Sequence, residues 1–261
     1  MITTFTKESV IESLRNIKAM GWVRNRRHGN VGGVGNTLED LLGIKENNLA
    51  IANAGEWEIK SQRKKTASLI TLFHCEPSPR NARFVPRMLL PMYGWAHDEA
   101  GSVYPDDEMS FRQTIHATSP SDRGFKVKID YVNEKFLVSF DKKAVSARHR
   151  EWLNSVKRRV GLKELSPQPY WGFRDIEHKA GTKLLNCFYI VAEAKRQASQ
   201  EYFFYSEIKM LRRFSFSNFL DAMESGEILI DFDARSGHNH GTKFRVRQNA
   251  FQSLYQDVTD I

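Results

Sequence analysis

The run NAGEWEIKSQRKK, Asn53 to Lys65, sets a glutamate two residues from a lysine inside an apolar stretch and follows the pair with bases. If the run is a strand, its period of two puts Glu58 and Lys60 on one face and Trp57 and Ile59 on the other. A carboxylate at a strand end can hold a hard divalent cation, which neutralises a phosphodiester and activates water. A lysine beside that carboxylate can hold or polarise the water, and Ile59 offers a backbone carbonyl to the same cation. The triplet alone is weak evidence, because Glu193-Ala194-Lys195 and Glu207-Ile208-Lys209 repeat it, and most such triplets are surface charges. Context separates the first. It follows another strand-like segment that ends in a metal-capable side chain, Asn53, and a helix-like GNTLEDLLGI that carries Glu39. Glu56 shares the Glu58 face only if the strand is unbroken. Gly55 favours a bulge or turn there, so Glu56 reads first as a surface charge.

The elements needed to position these groups follow from periodicity. Val10, Ile11, Leu14, Ile17 and Met20 recur at helical spacing between Lys7 and Met20, with Thr6 or Ser9 as cap. HGNVGGVGN reads as a loop, and a short helix starts at Asn36 or Thr37 and ends near Gly43. LAIAN, EWEIKSQ and SLITLFHC read as successive strands of one sheet. FKVKIDYVNEKFLVSF is a hairpin turning at Asn133-Glu134, and SARHREWLNSVKRRVG is a helix with Trp152, Val156 and Val160 on one side. KLLNCFYIVAEAKR and EYFFYSEIKMLRRF are apolar runs of strand or mixed character. SFSNFLDAMESG is a capped helix, EILIDFDAR and TKFRVR are strands about the loop SGHNHG, and AFQSLYQDV is a terminal helix. The fold class expected is mixed α/β (α+β) in two interlocked lobes, with a boundary near residue 160.

At 261 residues the chain can bury a substantial core. Cys75 and Cys187 are its only cysteines and form no CxxC pattern. Neither a disulfide framework nor a zinc ribbon follows, and a cytoplasmic setting fits. No run is long and apolar enough to span a membrane. Thirty-nine Lys and Arg against 31 Asp and Glu give a net charge of +8, which favours a polyanionic partner. Short basic knots, RNRRHGN with Arg24, Arg26 and Arg27, SQRKK and KFRVRQN, sit beside glycines or strand-like segments where phosphates can be reached. The glycine run lacks the Gly-Lys-Ser/Thr ending of a P-loop, so its milder role is backbone approach to DNA.

Near the C-terminus, DFDARSGHNHGTKFRVR holds Arg, Asp and His on two strands joined by a loop. Arg grips guanine N7 and O6 bidentately, Asp accepts from cytosine N4, and His donates or accepts. The same hairpin could instead hold internal salt bridges. HNH as a zinc set lacks suitably spaced partners, and as a nuclease motif it lacks its ββα surroundings.

GNTLEDLLGIKENN with GEWEIKSQR, and DFDARSGHNHGTKFRVR at the other end, together resemble the MvaI/BcnI family of type II restriction endonucleases, of the PD-(D/E)XK class and related to the nickase MutH. The resemblance implies a PD-(D/E)XK core with a mixed sheet flanked by helices over residues 1–160 and an interlocked recognition lobe over 161–261. It implies a monomer that cuts double-stranded DNA at a short CCxGG-like site, in a prokaryotic cytoplasm, with a companion DNA methyltransferase encoded alongside. Mg²⁺ is the implied cofactor, with Mn²⁺ able to substitute and Ca²⁺ able to bind without supporting cleavage. By carry-over, Glu39 is the helix acid, Glu58 the second acid and Lys60 the lysine. Asp233, Arg235, His238, His240 and Arg245 are base-contact candidates, with Arg247 the alternative to Arg245. The first acid, normally Asp, falls at Asn53, whose amide oxygen can ligate a metal but brings no charge. A natural variant compensated by Glu39 or Glu56, a sequence-specific binding protein with a disabled site, and an Asp-to-Asn change made to trap a complex all remain open. So does a MutH-like repair nickase.

Overall fold

The structure, a computed structural model, describes residues 6–26, 33–44, 54 and 56–261. In chain order the helices are α1 (Lys7–Ala19), α2 (Gly33–Leu42), α3 (Leu90–Tyr93), α4 (Arg150–Val160), α5 (Phe173–Leu184), α6 (Phe216–Glu224) and α7 (Gln248–Phe251). The strands are β1 (Val23–Arg24), β2 (Glu58–Arg63), β3 (Ile70–His74), β4 (Trp95–Ala96), β5 (Met109–Ile115), β6 (Phe125–Asp130) and β7 (Lys135–Phe140). They continue as β8 (Tyr170–Gly172), β9 (Asn186–Gln197), β10 (Gln200–Phe214), β11 (Ile228–Arg235), β12 (His238–Asn239), β13 (Lys243–Val246) and β14 (Tyr255–Asp260).

The chain forms two compact units: Met1–Ile70, His178–Asn218 and Gln248–Ile261 make the first, and Thr71–Glu177 with Phe219–Arg247 the second. A single cut near residue 160 does not describe this division. Each unit takes residues from both halves of the sequence, because the chain leaves the first unit after β2, builds the second, and returns twice.

In the first unit a sheet runs β1-β10-β9-β2, with β14 also on β10. The β2–β9 pairing is parallel, with Glu58 opposite Cys187 and Lys60 opposite Tyr189. A parallel neighbour needs a crossover, and α5 delivers the chain into β9. Helices α1 and α2 bury Val10, Leu14, Ile17, Val34, Leu38 and Leu42 in one cluster with Trp57, Ile59, Phe188 and Ile190. Helix α1 starts in a reciprocal capping box, in which Thr6 accepts from the Ser9 amide and Ser9 from the Thr6 amide. The helical spacing of α1 and the alternation of β2 are therefore the two patterns that fix which face of β2 is apolar.

Helix α2 takes in Gly33, inside the expected glycine-rich loop and ahead of the expected start at Asn36 or Thr37. Gly33 is a packing glycine: a Cβ there would lie 2.7 Å from Asn25 Nδ2. Asn25 is buried, donates to Glu201 and accepts from Thr37. The C-terminal run is not one helix either. After α7 and a 3-10 turn over Gln252–Leu254 the chain extends as β14 and pairs with β10, Tyr255 opposite Phe214.

In the second unit the sheet runs β3-β13-β11-β5-β4, with β12 on β11. Thus β3 does not continue the β2 sheet as expected; alternation shows which side chains share a face but not which strand is the neighbour. A separate sheet β6-β7-β8 contains the anticipated hairpin, where Asp130 accepts from the Asn133 backbone and side chain across the turn. Helix α4 buries Trp152 and Val156 and ends at Gly161, whose φ of +76° suits glycine.

Candidate functional site

Strand β2 alternates as read: Trp57 and Ile59 enter the apolar cluster, leaving Glu58 and Lys60 on the other face. Glu58 is only 2% exposed. Lys60 Nζ lies 2.7 Å from Glu58 Oε1, a charge-assisted contact that offsets the cost of burying the carboxylate. A second ammonium reaches the same oxygen, with Lys183 Nζ, from the last turn of α5, 3.8 Å away. Burial lowers the Lys183 pKa; Glu58 and, more weakly, Glu39 favour its charge, while Lys60 and Lys179 oppose it. Glu39, half-buried on α2, thus acts on the same electrostatic site as Glu58, Lys60 and Lys183.

Behind Glu58 the packing is closed. Cys187, opposite it in the β2–β9 register, is fully buried, and burial together with the Glu58 charge pushes its thiol well up. The buried Tyr255 phenol is likewise raised, first by burial and next by Cys187. Both are neutral at ordinary pH and present Glu58 with low-dielectric surroundings.

Asn53 and Arg27 lie outside the described residues. Glu56 is exposed in a reversal closed by Ala54 and Trp57, each of which donates a backbone hydrogen bond to the other, so it does not lie on the β2 face. Ile59 buries its side chain in the apolar cluster. The two other triplets are surface pairs on β9 and β10: Lys64 meets Glu207 at 2.8 Å and Glu193 at 3.9 Å, and Lys209 meets Asp260 at 2.8 Å. Lys195 covers the Trp22 ring. Arg24 and Arg26 are exposed.

In the second unit, one face of the β5-β11-β13 sheet is polar while the other carries Ile228, Ile230, Phe232 and Ala234 into the core. On the polar face two carboxylates stand two residues apart on β11. Asp231 accepts from Thr114 at 2.9 Å and pairs with Arg245 at 3.2 Å. Asp233 pairs with Arg112 at 2.8 Å and Lys243 at 3.2 Å. Burial would raise the Asp233 carboxyl, but Lys243, Arg112 and His240 outweigh it and hold it below the usual range.

Arg235 is engaged differently. Its guanidinium meets Glu108, which is 5% exposed, at 3.0 Å and lies over the Tyr104 ring. His238 and His240 are exposed and pack edge to face, their rings 4.2 Å apart. The His240 amide donates to the Asp233 carbonyl. Arg247 lies just past β13 and meets Glu227 at 3.6 Å. Among the described residues no group of three or more His, Cys, Asp or Glu could hold a metal.

The profile of the MvaI/BcnI restriction endonuclease family matches residues 11–255. The chain belongs to this family. In fold it is similar to a structure described as restriction endonuclease MvaI-cognate DNA substrate complex, with TM-score 0.76 and 24% identity over 98% of each chain. It is also similar to one described as restriction endonuclease MvaI in the absence of DNA, with TM-score 0.53 and 23% identity over 100% of each chain. No curated protein sequence matched. The mixed α+β fold and the family expected from the sequence are those found, and membership makes the chain a site-specific endonuclease in class.

Within this family member, sequence reading passed over Lys183, Asp231, Arg112 and Glu108. Asp231 was within reach, since it shares the period-two face of Asp233. Arg112 and Lys183 come from segments with no motif, and only pairing and packing bring them to their partners.

Proposed function

We propose that this protein hydrolyses phosphodiester bonds of double-stranded DNA at a short C/G-rich site of the CCxGG kind, as a Mg²⁺-dependent monomer acting in a prokaryotic cytoplasm beside a companion methyltransferase. The observation that carries this reading is the buried Glu58 carboxylate gripped by Lys60 at 2.7 Å, on a strand end, in a chain of this family. The donor set suits the cation: carboxylates at positions 58 and 39 are hard oxygen ligands, and Mg²⁺ asks few ligands of the protein because it keeps several waters. Glu58, the residue at position 53 and the Ile59 carbonyl would hold it, with Glu39 in support. When bound, it neutralises the phosphate and lowers the pKa of water. Lys60, on the same face of β2 as Glu58, would position the attacking water. Buried Cys187 and Tyr255 keep bulk water from the back of the carboxylate.

Base reading is assigned to the polar sheet face and its hairpin: Asp233, Arg245, His238 and His240, joined by Asp231 and Arg112. Arg235 supports this face through Glu108, and Arg247 lies at its edge. Arg24, Arg26 and Arg27 serve phosphates.

Asn53 favours a second reading, a sequence-specific DNA-binding protein with a disabled site. Plasmid cleavage with Mg²⁺ by this sequence and its Asn53→Asp form, with product ends sequenced, separates the two. Cutting at one defined site by the Asp form supports the nuclease. Binding without cutting by both supports the second reading. Cutting of one strand only, and only with a partner protein added, points to the MutH-like nickase.

A further inference from the structure

Lys183 is one lysine too many for the chemistry assigned so far. Glu58 already has Lys60 at 2.7 Å, whereas Lys183 approaches the same oxygen only to 3.8 Å, past hydrogen-bond distance. Its side chain is only 21% exposed. A solvated surface lysine would not need to hold its ammonium there, and as a counter-ion it duplicates Lys60. The placement is also deliberate in the fold. Lys183 closes the last turn of α5, one residue before the fully buried Leu184 and four before Cys187, the strand partner of Glu58. Helix and strand therefore fix its root against β2. Lys179, one turn earlier, is half-buried and adds positive charge on the same side.

Once a divalent cation takes up Glu58, the ammonium of Lys183 loses its anion and faces added positive charge. It then needs another anion within reach, and the reaction brings one: the phosphodiester. We propose that Lys183 is a second lysine of the centre that binds a non-bridging oxygen of the phosphate to be cut, leaving Lys60 to the water. This rests on the nuclease reading above and adds a residue to it.

The test needs no cleavage. Binding of this protein and its Lys183→Met form is measured with Ca²⁺, a cation expected to occupy Glu58 without supporting cleavage, against duplexes of the proposed site in which a neutral methylphosphonate replaces each phosphate in turn. At one phosphate, the position at which the Asn53→Asp form cuts, the substitution and the variant each weaken binding on the order of tenfold, and together no more than either alone. Lys183→Arg, which keeps the charge, retains sensitivity to that methylphosphonate; it also serves if the Met form fails to fold. Losses that multiply at every phosphate overturn the inference and leave the nuclease reading standing. Absence of duplex binding by the unchanged protein overturns both.

Discussion

Lys60 Nζ and Glu58 Oε1 are 2.7 Å apart on a strand whose opposite face is packed in the core. The contact matters for folding, because the Glu58 carboxylate is buried and Lys60 keeps a positive charge beside it. Lys60→Met should therefore cost stability. Removing one partner of a buried pair costs roughly 3–5 kcal/mol, and partial exposure of Lys60 with Lys183 still nearby reduces this to about 2 kcal/mol. Urea midpoints compared with the unchanged protein check it; equal midpoints would show that Lys183 alone suffices for Glu58.

The two carboxylates of β11 predict a pattern of altered specificity. Arg245→Ala removes the partner of Asp231, and Asp233→Ala removes that of Arg112 and Lys243. Each variant should lose about 1–3 kcal/mol of discrimination at one base pair. Selection from a randomised duplex pool, read by sequencing, tests this. A uniform loss of affinity with the preferred sequence unchanged would make the face a structural ladder.

Asp233 also ties stability to pH. Its folded pKa is depressed by Lys243, Arg112 and His240 against the opposing effect of burial. The stability it contributes is present above the unfolded aspartate value, near pH 4, and is lost as pH falls through the lower folded value. The gap in melting temperature between the unchanged protein and Asp233→Asn should be widest at neutral pH and close below the ordinary carboxylate range. A gap that stays constant down to strong acid would contradict the assignment.

How much of this could be read in advance depended on whether the information was local. Trp57 to Lys60 alternate within four residues, so the face bearing Glu58 was legible, as was the hairpin turn at Asn133. Strand β3 was recognisable but its partner was not, since pairing with β13 is decided across the chain. The apolar spacing of AFQSLYQDV predicts a helix, which holds as helical turns only to Leu254, because from Tyr255 the chain extends along β10. Lys183 carries no motif, and its role arises only from the crossover that seats α5 beside β2. Gly33 reads as loop from the sequence because the local cost of glycine in a helix outweighs a contact with Asn25 that the sequence does not display.

That contact gives the last prediction. In an open helix, Gly33→Ala would stabilise by roughly 0.8–1 kcal/mol through propensity. Here the new methyl would come within 2.7 Å of Asn25 Nδ2, the atom that donates to Glu201. Asn25 is 4% exposed and is also held by Thr37, so it cannot swing into solvent without leaving buried polar groups unpaired. Overpacking of this kind costs about 1–3 kcal/mol, more than the propensity gain, so the net effect should be a destabilisation of about 1 kcal/mol in denaturant titration. Pairing it with Asn25→Ala should recover the helix gain, making the double variant more stable than Asn25→Ala alone. If Gly33→Ala stabilises by itself, Asn25 yields without cost and the glycine is there for another reason.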